Sequence, residues 1–395
     1  MHPTHNFDFD PARRGTDARK YDPALCPPDV IPMWIADTDF LCPAELIEAM
    51  ASRVRQGHFG YPYSDEKFSQ AVAHWQKVRF GWDVQPEWVE FAPGAVAPLL
   101  YGIRAFTAPG DKVLIQTPAY PPFYALIENN GRRVVRNPLR LTEGRYEIDF
   151  ENLEAGLSDP RTRVMLLCNP QNPSGRAFTM EELRRIGELC IKHSVFVLSD
   201  EIHGDIVYGG RTHIPFAMAS PQFLNRCCIA VNPSKTFNTA GLRTAAFICA
   251  DPAARALLLE QRMNNKAFGR PVFGALSVQI LYQQCGYYAD QMVDYLEENL
   301  RFVEQSLSGA RGVRLIKPEA TYLLWLDCRE LGLAQPELMR FFKEKAKILP
   351  NDGATFGIDG TGFVRINIAC PRATIRQAME QLRQALAAHY KEGPY

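Results

Sequence analysis

The sequence lacks long hydrophobic runs and an excess of charge of either sign. Its 395 residues contain 44 Lys and Arg and 44 Asp and Glu. A neutral chain has no general attraction for phosphate backbones or anionic lipid, so we expect no nucleic-acid or membrane partner. No stretch approaches the ~20 apolar residues that a membrane helix needs. The polar first residues lack the apolar core of a signal peptide, which predicts a cytoplasmic protein.

The sequence also lacks paired-cysteine metal motifs. The ten cysteines are dispersed and no Cys-x-x-Cys spacing occurs, so thiolate zinc sites lose their usual spacing. The acids and histidine between residues 199 and 205 have no further well-spaced ligands, so we expect no metal. Hydrophobic residues make up 46% of the chain and charged residues 22%, which is typical of a globular protein and excludes a disordered or coiled-coil chain.

The middle of the chain alternates apolar strand patterns with amphipathic helix patterns. Continuously apolar runs, typical of strands buried on both faces, occur at residues 113–115, 164–168, 195–199 and 229–231. A helix is predicted from Thr179, which can form a capping box with Glu182, to about His193. Alternating strands and helices predict a parallel sheet with helices on both faces.

The two ends of the chain differ from the middle. A helical pattern broken near Gly286 covers residues 272–307, and strands at 322–326 and 363–367 alternate with helices at 335–346 and 372–391. These patterns indicate a smaller α+β domain. The first forty or so residues are typical of an arm that packs on another part of the protein. We therefore divide the chain into an arm, a large domain and a small domain, at residues 1–45, 46–284 and 285–395.

Four polar clusters stand at the ends of predicted strands or the starts of predicted helices, at residues 93–96, 169–175, 199–205 and 232–238. Parallel sheets bind ligands at the carboxyl ends of their strands, so we expect these clusters to converge on one site. In the first cluster, Gly94, Ala95 and Val96 leave backbone N–H groups open to an anion such as phosphate. Taken alone, this pattern is more often an ordinary turn into a helix.

Three side chains of the other clusters suit a particular chemistry. Two prolines and a glycine form a rigid turn that presents the Asn172 amide. Asp200, a carboxylate at the end of a buried strand, suits pairing with a cationic ring nitrogen. Lys235 follows a buried strand, and a desolvated lysine has a lowered pKa and is a good Schiff-base nucleophile. Each residue taken alone also fits an ordinary turn or surface position.

In this order and spacing, the motifs resemble the aminotransferase class I/II enzymes, the fold-type-I group that uses pyridoxal phosphate. Residues 32–40, Pro-Met-Trp-Ile-Ala-Asp-Thr-Asp-Phe, are similar to a signature of the MalY/PatB family of cystathionine β-lyases, also called C–S lyases. Further similarity lies at residues 59–61, 118–120, 234–238 and 363–367, so the resemblance covers essentially the whole chain. It implies an α/β fold. A large domain has a mainly parallel sheet between helices, and a smaller α+β domain is built from the N-terminal arm and the C-terminal third.

The resemblance implies pyridoxal phosphate as the cofactor and assigns the residues around its ring. Lys235 is the catalytic residue, which forms a Schiff base with the cofactor and then acts as general base and acid. Asp200 pairs with the ring nitrogen, Asn172 donates to the phenolate oxygen and Tyr120 stacks on the ring. The contribution of His203 to cofactor binding stays open, because many related aminotransferases have tyrosine at that position.

The phosphate group of the cofactor is expected to bind a separate set of residues, namely Gly94, Ala95, Val96, Ser234 and Arg243. Tyr61 resembles the tyrosine that reaches the phosphate from the neighbouring subunit. The resemblance therefore implies a homodimer in which each subunit completes the active site of the other.

By the same resemblance, Arg365 binds the α-carboxylate of the substrate through two parallel hydrogen bonds. Tyr120, Ile35 and Ala36 are expected to line the substrate site. The expected reaction is α,β-elimination from an L-cysteine S-conjugate such as L-cystathionine, which yields homocysteine, pyruvate and ammonia. Two alternatives stay open on the same fold. One is an aminotransferase that uses an amino acid and a 2-oxo acid, and the other is a non-catalytic regulatory binding protein.

Overall fold

The computed structural model describes residues 3–63, 66–267 and 269–391. Within them the strands, β1 to β15 in chain order, are Ile31–Pro32, Val89–Ala92, Lys112–Thr117, Arg133–Pro138, Arg140–Thr142, Arg145–Glu147, Thr162–Cys168, Phe196–Asp200, Cys227–Val231, Ala245–Ile248, Arg314–Ile316, Leu323–Asp327, Ile348–Leu349, Asn351–Asp352 and Phe363–Asn367. The α-helices, α1 to α12, are Ala44–Arg55, Lys67–Phe80, Val96–Phe106, Pro121–Glu128, Phe150–Leu157, Met180–Lys192, Ser234–Phe237, Pro252–Asn264, Val272–Gln284, Gly286–Leu307, Gln335–Arg340 and Arg372–Lys391.

The largest sheet has seven strands in the order β2-β10-β9-β8-β7-β3-β4. Strands β9, β8, β7, β3 and β4 run parallel to one another. Strand β10 runs antiparallel to both of its neighbours, β2 and β9. The predicted, mainly parallel sheet is therefore confirmed.

Both faces of this sheet are covered by apolar side chains. On one face, Leu166 and Leu198 belong to a buried cluster with Leu99 of α3. On the other face, Leu167 belongs to a buried cluster with Leu183 of α6. Successive side chains of a strand point to opposite faces, so a strand buried on both faces appears in the sequence as a continuous apolar run.

Local signals set the ends of several helices. The Thr179 hydroxyl accepts from the Glu182 N–H of α6, and the Glu182 carboxylate accepts from the Thr179 N–H, so the predicted capping box is confirmed. The predicted break near Gly286 is confirmed by the boundary between α9 and α10. The helix predicted at residues 335–346 consists of α11 followed by a π-helical turn, Phe341–Lys345.

The C-terminal third forms a second, antiparallel sheet of four strands in the order β11-β12-β15-β14. The N-terminal arm packs on this part of the chain, because β1 pairs in parallel with β13 and the Asp39 N–H donates to the Ala369 carbonyl. The α/β fold class is confirmed, and the division at residues 45 and 284 stays a prediction. None of the described helices has the length and apolarity to cross a membrane.

A buried cluster of ion pairs fixes the arm to the loop after β1. Lys20 is 1% exposed, and its Nζ lies 2.7 Å from Asp39 Oδ2 and 3.9 Å from Asp37 Oδ1. The two Nη atoms of Arg13 contact Asp37 and Asp39, each at 2.7 Å. Charges that have left water depend on one another for compensation, so the cluster holds the arm in one position.

Replacing Lys20 with alanine is expected to lower the free energy of unfolding by about 3 kcal/mol, because the buried Asp39 and the half-buried Asp37 lose a cation. Urea unfolding measures this loss. Lys77→Ala is the control, since Lys77 forms an exposed ion pair with Asp83, and such pairs contribute at most about 1 kcal/mol. Equal losses in the two variants would contradict a structural role for the cluster.

Candidate active site

The carboxyl ends of four neighbouring parallel strands carry the predicted ring-binding residues. Tyr120 follows β3, Asn172 follows β7, Asp200 ends β8 and Lys235 lies in the short helix α7 after β9. Because β3, β7, β8 and β9 are adjacent in the sheet, the polar clusters meet at one edge. The four side chains are buried or half-buried there.

Arg365 links the small sheet to this edge. It lies in β15, is 3% exposed, and donates from Nη1 to Asn172 Oδ1 at 2.9 Å. Its Nη2 donates to the Trp34 carbonyl at 3.0 Å, and its guanidinium carbon lies 4.9 Å from the centre of the Phe356 ring. Burial lowers the pKa of Arg365 to about 10. A guanidinium with this pKa stays charged at neutral pH, so the pocket holds a desolvated cation.

The backbone of residues 35–37 crosses the pocket beside Lys235. The Lys235 ammonium donates to the Ala36 carbonyl at 2.6 Å, and the Tyr322 hydroxyl donates to the same oxygen at 3.1 Å. Asn367 holds the segment in place by donating to the Ile35 carbonyl at 2.7 Å. Ile35 and Ala36 therefore lie in the pocket, and Ala36 contacts Lys235 through its backbone oxygen.

Lys235 and Asp200 both have shifted pKa values. Burial, with a smaller contribution from the Arg365 cation, lowers the pKa of Lys235 to about 8. Burial raises the pKa of Asp200 to about 7, against the opposing effects of the Ile202 N–H and the Lys235 charge. The Asp200 carboxylate thus sits in a place where its charge is poorly compensated by the chain.

His203 faces the same pocket. Burial and the nearby charges of Lys235 and Arg365 lower its pKa well below the ordinary value, so the imidazole is neutral. Its ring centre lies 6.1 Å from that of Tyr322, nearly edge-on. Its Nδ1 is buried and has no hydrogen-bond partner among the described residues.

Glu201, next to Asp200, serves the fold. Its Oε1 accepts from both the Ser199 hydroxyl and the Phe216 N–H, and its Oε2 lies 2.8 Å from His213 Nε2. Across residues 3–63, 66–267 and 269–391, no group of three or more His, Cys, Asp and Glu side chains is arranged to hold a metal ion.

The predicted phosphate residues lie near the start of α3 and around α7. Gly94 has φ of +99°, and a Cβ at that position would meet no atom within 4 Å. The first N–H groups of α3, a helix of 11 residues preceded by Ala95, have no partner inside the helix and favour an anion. Ser234 is buried at the start of α7, whereas Arg243 is exposed, with φ of +48°.

Tyr61, a predicted site residue, is fully exposed. Nearby, Tyr63 is 88% exposed and Phe59 is 55% exposed. The structure therefore does not bring Tyr61 together with Lys235 inside one subunit, and its expected role across a dimer stays a prediction.

Comparison with known proteins decides the family. The model of the family "Aminotransferase class I and II" matches residues 28–382. The chain is 40% identical over 386 residues to cystathionine beta-lyase PatB of Bacillus subtilis, an alignment that covers 97% of this chain and 100% of that protein. It is 33% identical over 390 residues to protein MalY of Escherichia coli, covering 97% of this chain and 99% of MalY. This chain belongs to the aminotransferase class I and II family, within its MalY/PatB group. The predicted family resemblance is thus confirmed.

A solved structure agrees with this assignment. The crystal structure of cystalysin from Treponema denticola, which contains a pyridoxal 5′-phosphate cofactor, superimposes with a TM-score of 0.94 at 31% identity. That alignment covers 98% of this chain and 100% of cystalysin.

Three residues to which the sequence analysis gave no role in the site contribute to the pocket of this MalY/PatB-group protein. Trp34 contributes its carbonyl to Arg365, Tyr322 contributes its hydroxyl to Ala36, and Phe356 lies against the Arg365 guanidinium. Trp34 belongs to the 32–40 signature, but its contribution is a backbone oxygen. Tyr322 and Phe356 lie in apolar surroundings, where an aromatic residue is typical of core packing.

The raised pKa of Asp200 leads to a testable expectation for the chain without cofactor. The unfolded carboxyl ionises near the ordinary 3.8, whereas the folded one ionises near about 7. Ionisation of Asp200 therefore lowers the free energy of unfolding progressively as pH rises from about 4 to about 7. Above about pH 7 this loss is constant. Asp200→Asn removes the group, so it should stabilise the cofactor-free chain by about 2–4 kcal/mol at pH 8.

Thermal unfolding of cofactor-stripped wild type and Asp200→Asn at pH 5 and pH 8 measures this effect. The advantage of the variant should be larger at pH 8. Asp83→Asn, at an exposed carboxylate, is the control and should show no such dependence. If the difference in unfolding temperature between Asp200→Asn and wild type became smaller as pH rises, the chain would compensate the charge of the Asp200 carboxylate well.

Proposed function

We propose that this protein is a pyridoxal-phosphate-dependent C–S β-lyase and that its substrate is L-cystathionine or a closely related L-cysteine S-conjugate. L-Cystathionine and water yield homocysteine, pyruvate and ammonia. The observation that carries the proposal is the meeting of a lysine amine, a buried carboxyl and a buried guanidinium in one pocket: Lys235, Asp200 and Arg365. The name of PatB, a cystathionine beta-lyase, supports the reaction type.

The pocket residues fit pyridoxal phosphate. The poorly compensated Asp200 carboxylate suits a cationic ring nitrogen, which would supply the missing positive charge. Arg365 can only donate hydrogen bonds, so its contact fixes Oδ1 of Asn172 as the acceptor and leaves the Asn172 amide N–H groups for the phenolate oxygen. Tyr120 is the proposed residue that stacks on the ring, and the buried, unpartnered Nδ1 of His203 supports a contribution of His203 to cofactor binding.

The phosphate group fits the open backbone around Gly94. Ala95, Val96, the Ser234 hydroxyl and the exposed Arg243 guanidinium are the proposed partners beside it. The exposed Tyr61 is proposed to reach the phosphate of a second copy of the chain, which makes the active unit a homodimer.

When bound, pyridoxal phosphate supplies an electron sink for the negative charge left at the substrate Cα. Arg365 holds the substrate α-carboxylate through charge-assisted hydrogen bonds that fix the orientation of Cα. The lowered pKa of Lys235 leaves a fraction of its amine neutral near pH 7, and the neutral Nζ takes the proton from Cα. The Cβ–S bond then breaks with its electron pair on sulfur, and the Lys235 ammonium returns a proton to the leaving thiolate.

The nature of the sulfur substrate is tested by comparing kcat/KM for L-cystathionine, L-cystine and S-methyl-L-cysteine in the absence of any 2-oxo acid. We expect the highest value for L-cystathionine. A higher value for L-cystine or S-methyl-L-cysteine would keep the C–S lyase class and replace the substrate. Turnover that requires a 2-oxo acid would instead identify an aminotransferase, which would use the same Lys235, Asp200 and Arg365.

A further inference from the structure

Asp205 lies in the loop that follows β8, five residues after Asp200. Its side chain is 7% exposed. Its Oδ2 accepts from the Thr236 hydroxyl at 2.7 Å, and its Oδ1 accepts from Trp75 Nε1 at 3.0 Å. Arg79 Nε lies 3.7 Å from the same Oδ1. A single carboxylate therefore joins the loop after β8, helix α2 and helix α7.

Thr236 is the residue next to Lys235. Both lie in α7, a single helical turn of four residues, and so short a helix has little stability of its own. Thr236 is 1% exposed, and its hydroxyl bonds Asp205. The turn ends at Asn238, which has φ of +56° and donates to the Phe40 carbonyl. The position of the Lys235 backbone is thus set by bonds to its neighbours on other elements.

Trp75, which donates to Asp205 on the side away from Thr236, is held rigidly. The Trp75 ring stacks on Tyr282 of α9 at 4.8 Å with an interplanar angle of 11°. The Arg79 guanidinium carbon lies 5.3 Å from the centre of the Trp75 ring. Trp75 is 2% exposed, so its N–H cannot turn to water and the carboxylate has a fixed partner.

We propose that Asp205 and Thr236 are positioning residues for Lys235: the carboxylate, held by Trp75, fixes the α7 turn through the Thr236 hydroxyl so that Lys235 Nζ reaches the cofactor and the substrate Cα. This inference rests on the proposed role of Lys235. A displacement of about 1 Å at a reacting atom lowers a rate by about 10²-fold, so loss of the Thr236–Asp205 bond affects the chemical step.

Thr236→Val and Thr236→Ser form a matched pair for the test, because valine keeps the shape and removes the hydroxyl, whereas serine keeps the hydroxyl. For the holoenzyme, we expect Thr236→Val to lower kcat by about 10- to 100-fold with little change in KM, and Thr236→Ser to stay near wild type. Asp205→Asn keeps one acceptor oxygen but replaces the other with an NH₂ group, which cannot accept a hydrogen bond from Trp75 or Thr236. We therefore expect Asp205→Asn to lower kcat as well.

A second measurement does not depend on the substrate. The cofactor is removed and pyridoxal phosphate is then added back. The visible absorbance of the lysine-linked cofactor should return more slowly in Thr236→Val than in Thr236→Ser or wild type. If wild type attaches the cofactor but cleaves no sulfur amino acid, the proposed function fails and this comparison still stands.

Wild-type kcat and wild-type attachment rates in Thr236→Val would overturn the positioning role. Equal losses in the serine and valine variants would overturn it as well, since the hydroxyl would then not be the cause. If Thr236→Val does not fold, Asp205→Asn takes its place, and full activity in that variant contradicts the proposal.

Discussion

Lys235→Ala is expected to abolish β-elimination, with a loss in kcat of about 10⁴-fold. The variant removes the Lys235 amine, which lies in the pocket 2.6 Å from the Ala36 carbonyl oxygen. Without it, the pocket loses the amine that is proposed to take the Cα proton and to return one to the thiolate. The visible absorbance of the lysine-linked cofactor should disappear at the same time. Steady-state thiol release and an absorption spectrum of the purified variant measure both effects.

Lys192→Ala is the matched control for Lys235→Ala. Lys192 is exposed and pairs with Glu154 at the surface, so its loss should leave kcat and the spectrum unchanged. A Lys235→Ala variant that keeps the cofactor absorbance would show that another amine forms the linkage, and the proposed catalytic residue would then be wrong.

Arg365→Lys is expected to lower kcat/KM by about 10²- to 10³-fold, because loss of one partner of a buried charge contact costs about 2–5 kcal/mol. A lysine keeps the charge but cannot make the two parallel hydrogen bonds that orient a carboxylate. It also loses the contacts to Asn172 and the Trp34 carbonyl that the guanidinium makes together. Most of the loss should appear as a higher KM, since the guanidinium is proposed to bind the substrate carboxylate in the ground state as well as in the transition state.

The control for Arg365→Lys is Arg314→Lys, in the same small sheet. Arg314 is mostly exposed and pairs with Asp327 at 3.1 Å, so its replacement should leave kcat/KM unchanged. An Arg365→Lys variant with the wild-type kcat/KM would place the substrate carboxylate elsewhere.

The sequence predicts the central sheet well because its strands are buried on both faces. Strands β3, β7, β8 and β9 lie within two residues of the apolar runs at 113–115, 164–168, 195–199 and 229–231. The strand Phe363–Asn367 was predicted with the observed bounds. The edge strand Arg133–Pro138 escapes prediction because it carries exposed charges and is not continuously apolar.

The candidate site is predictable where a side chain acts near its own motif. Asp200, Lys235 and Asn172 each follow a strand of the sheet, and strand order brings them together. The contacts that orient them are not local. Arg365 reaches Asn172 across 193 residues, and Lys235 reaches the Ala36 carbonyl across 199. Bonds between such distant residues depend on how the arm and the small sheet pack against the large sheet, which no spacing in the sequence encodes.

The proposed function is tested most directly by incubating the purified holoenzyme with L-cystathionine alone and measuring free thiol, pyruvate and ammonia in the same sample. A C–S β-lyase that acts on cystathionine releases all three products in equal amounts, with no 2-oxo acid added. Thiol formation that stays at the background level while the cofactor is bound through Lys235, or pyruvate that appears without thiol, would contradict the assignment of this protein as a C–S β-lyase acting on cystathionine.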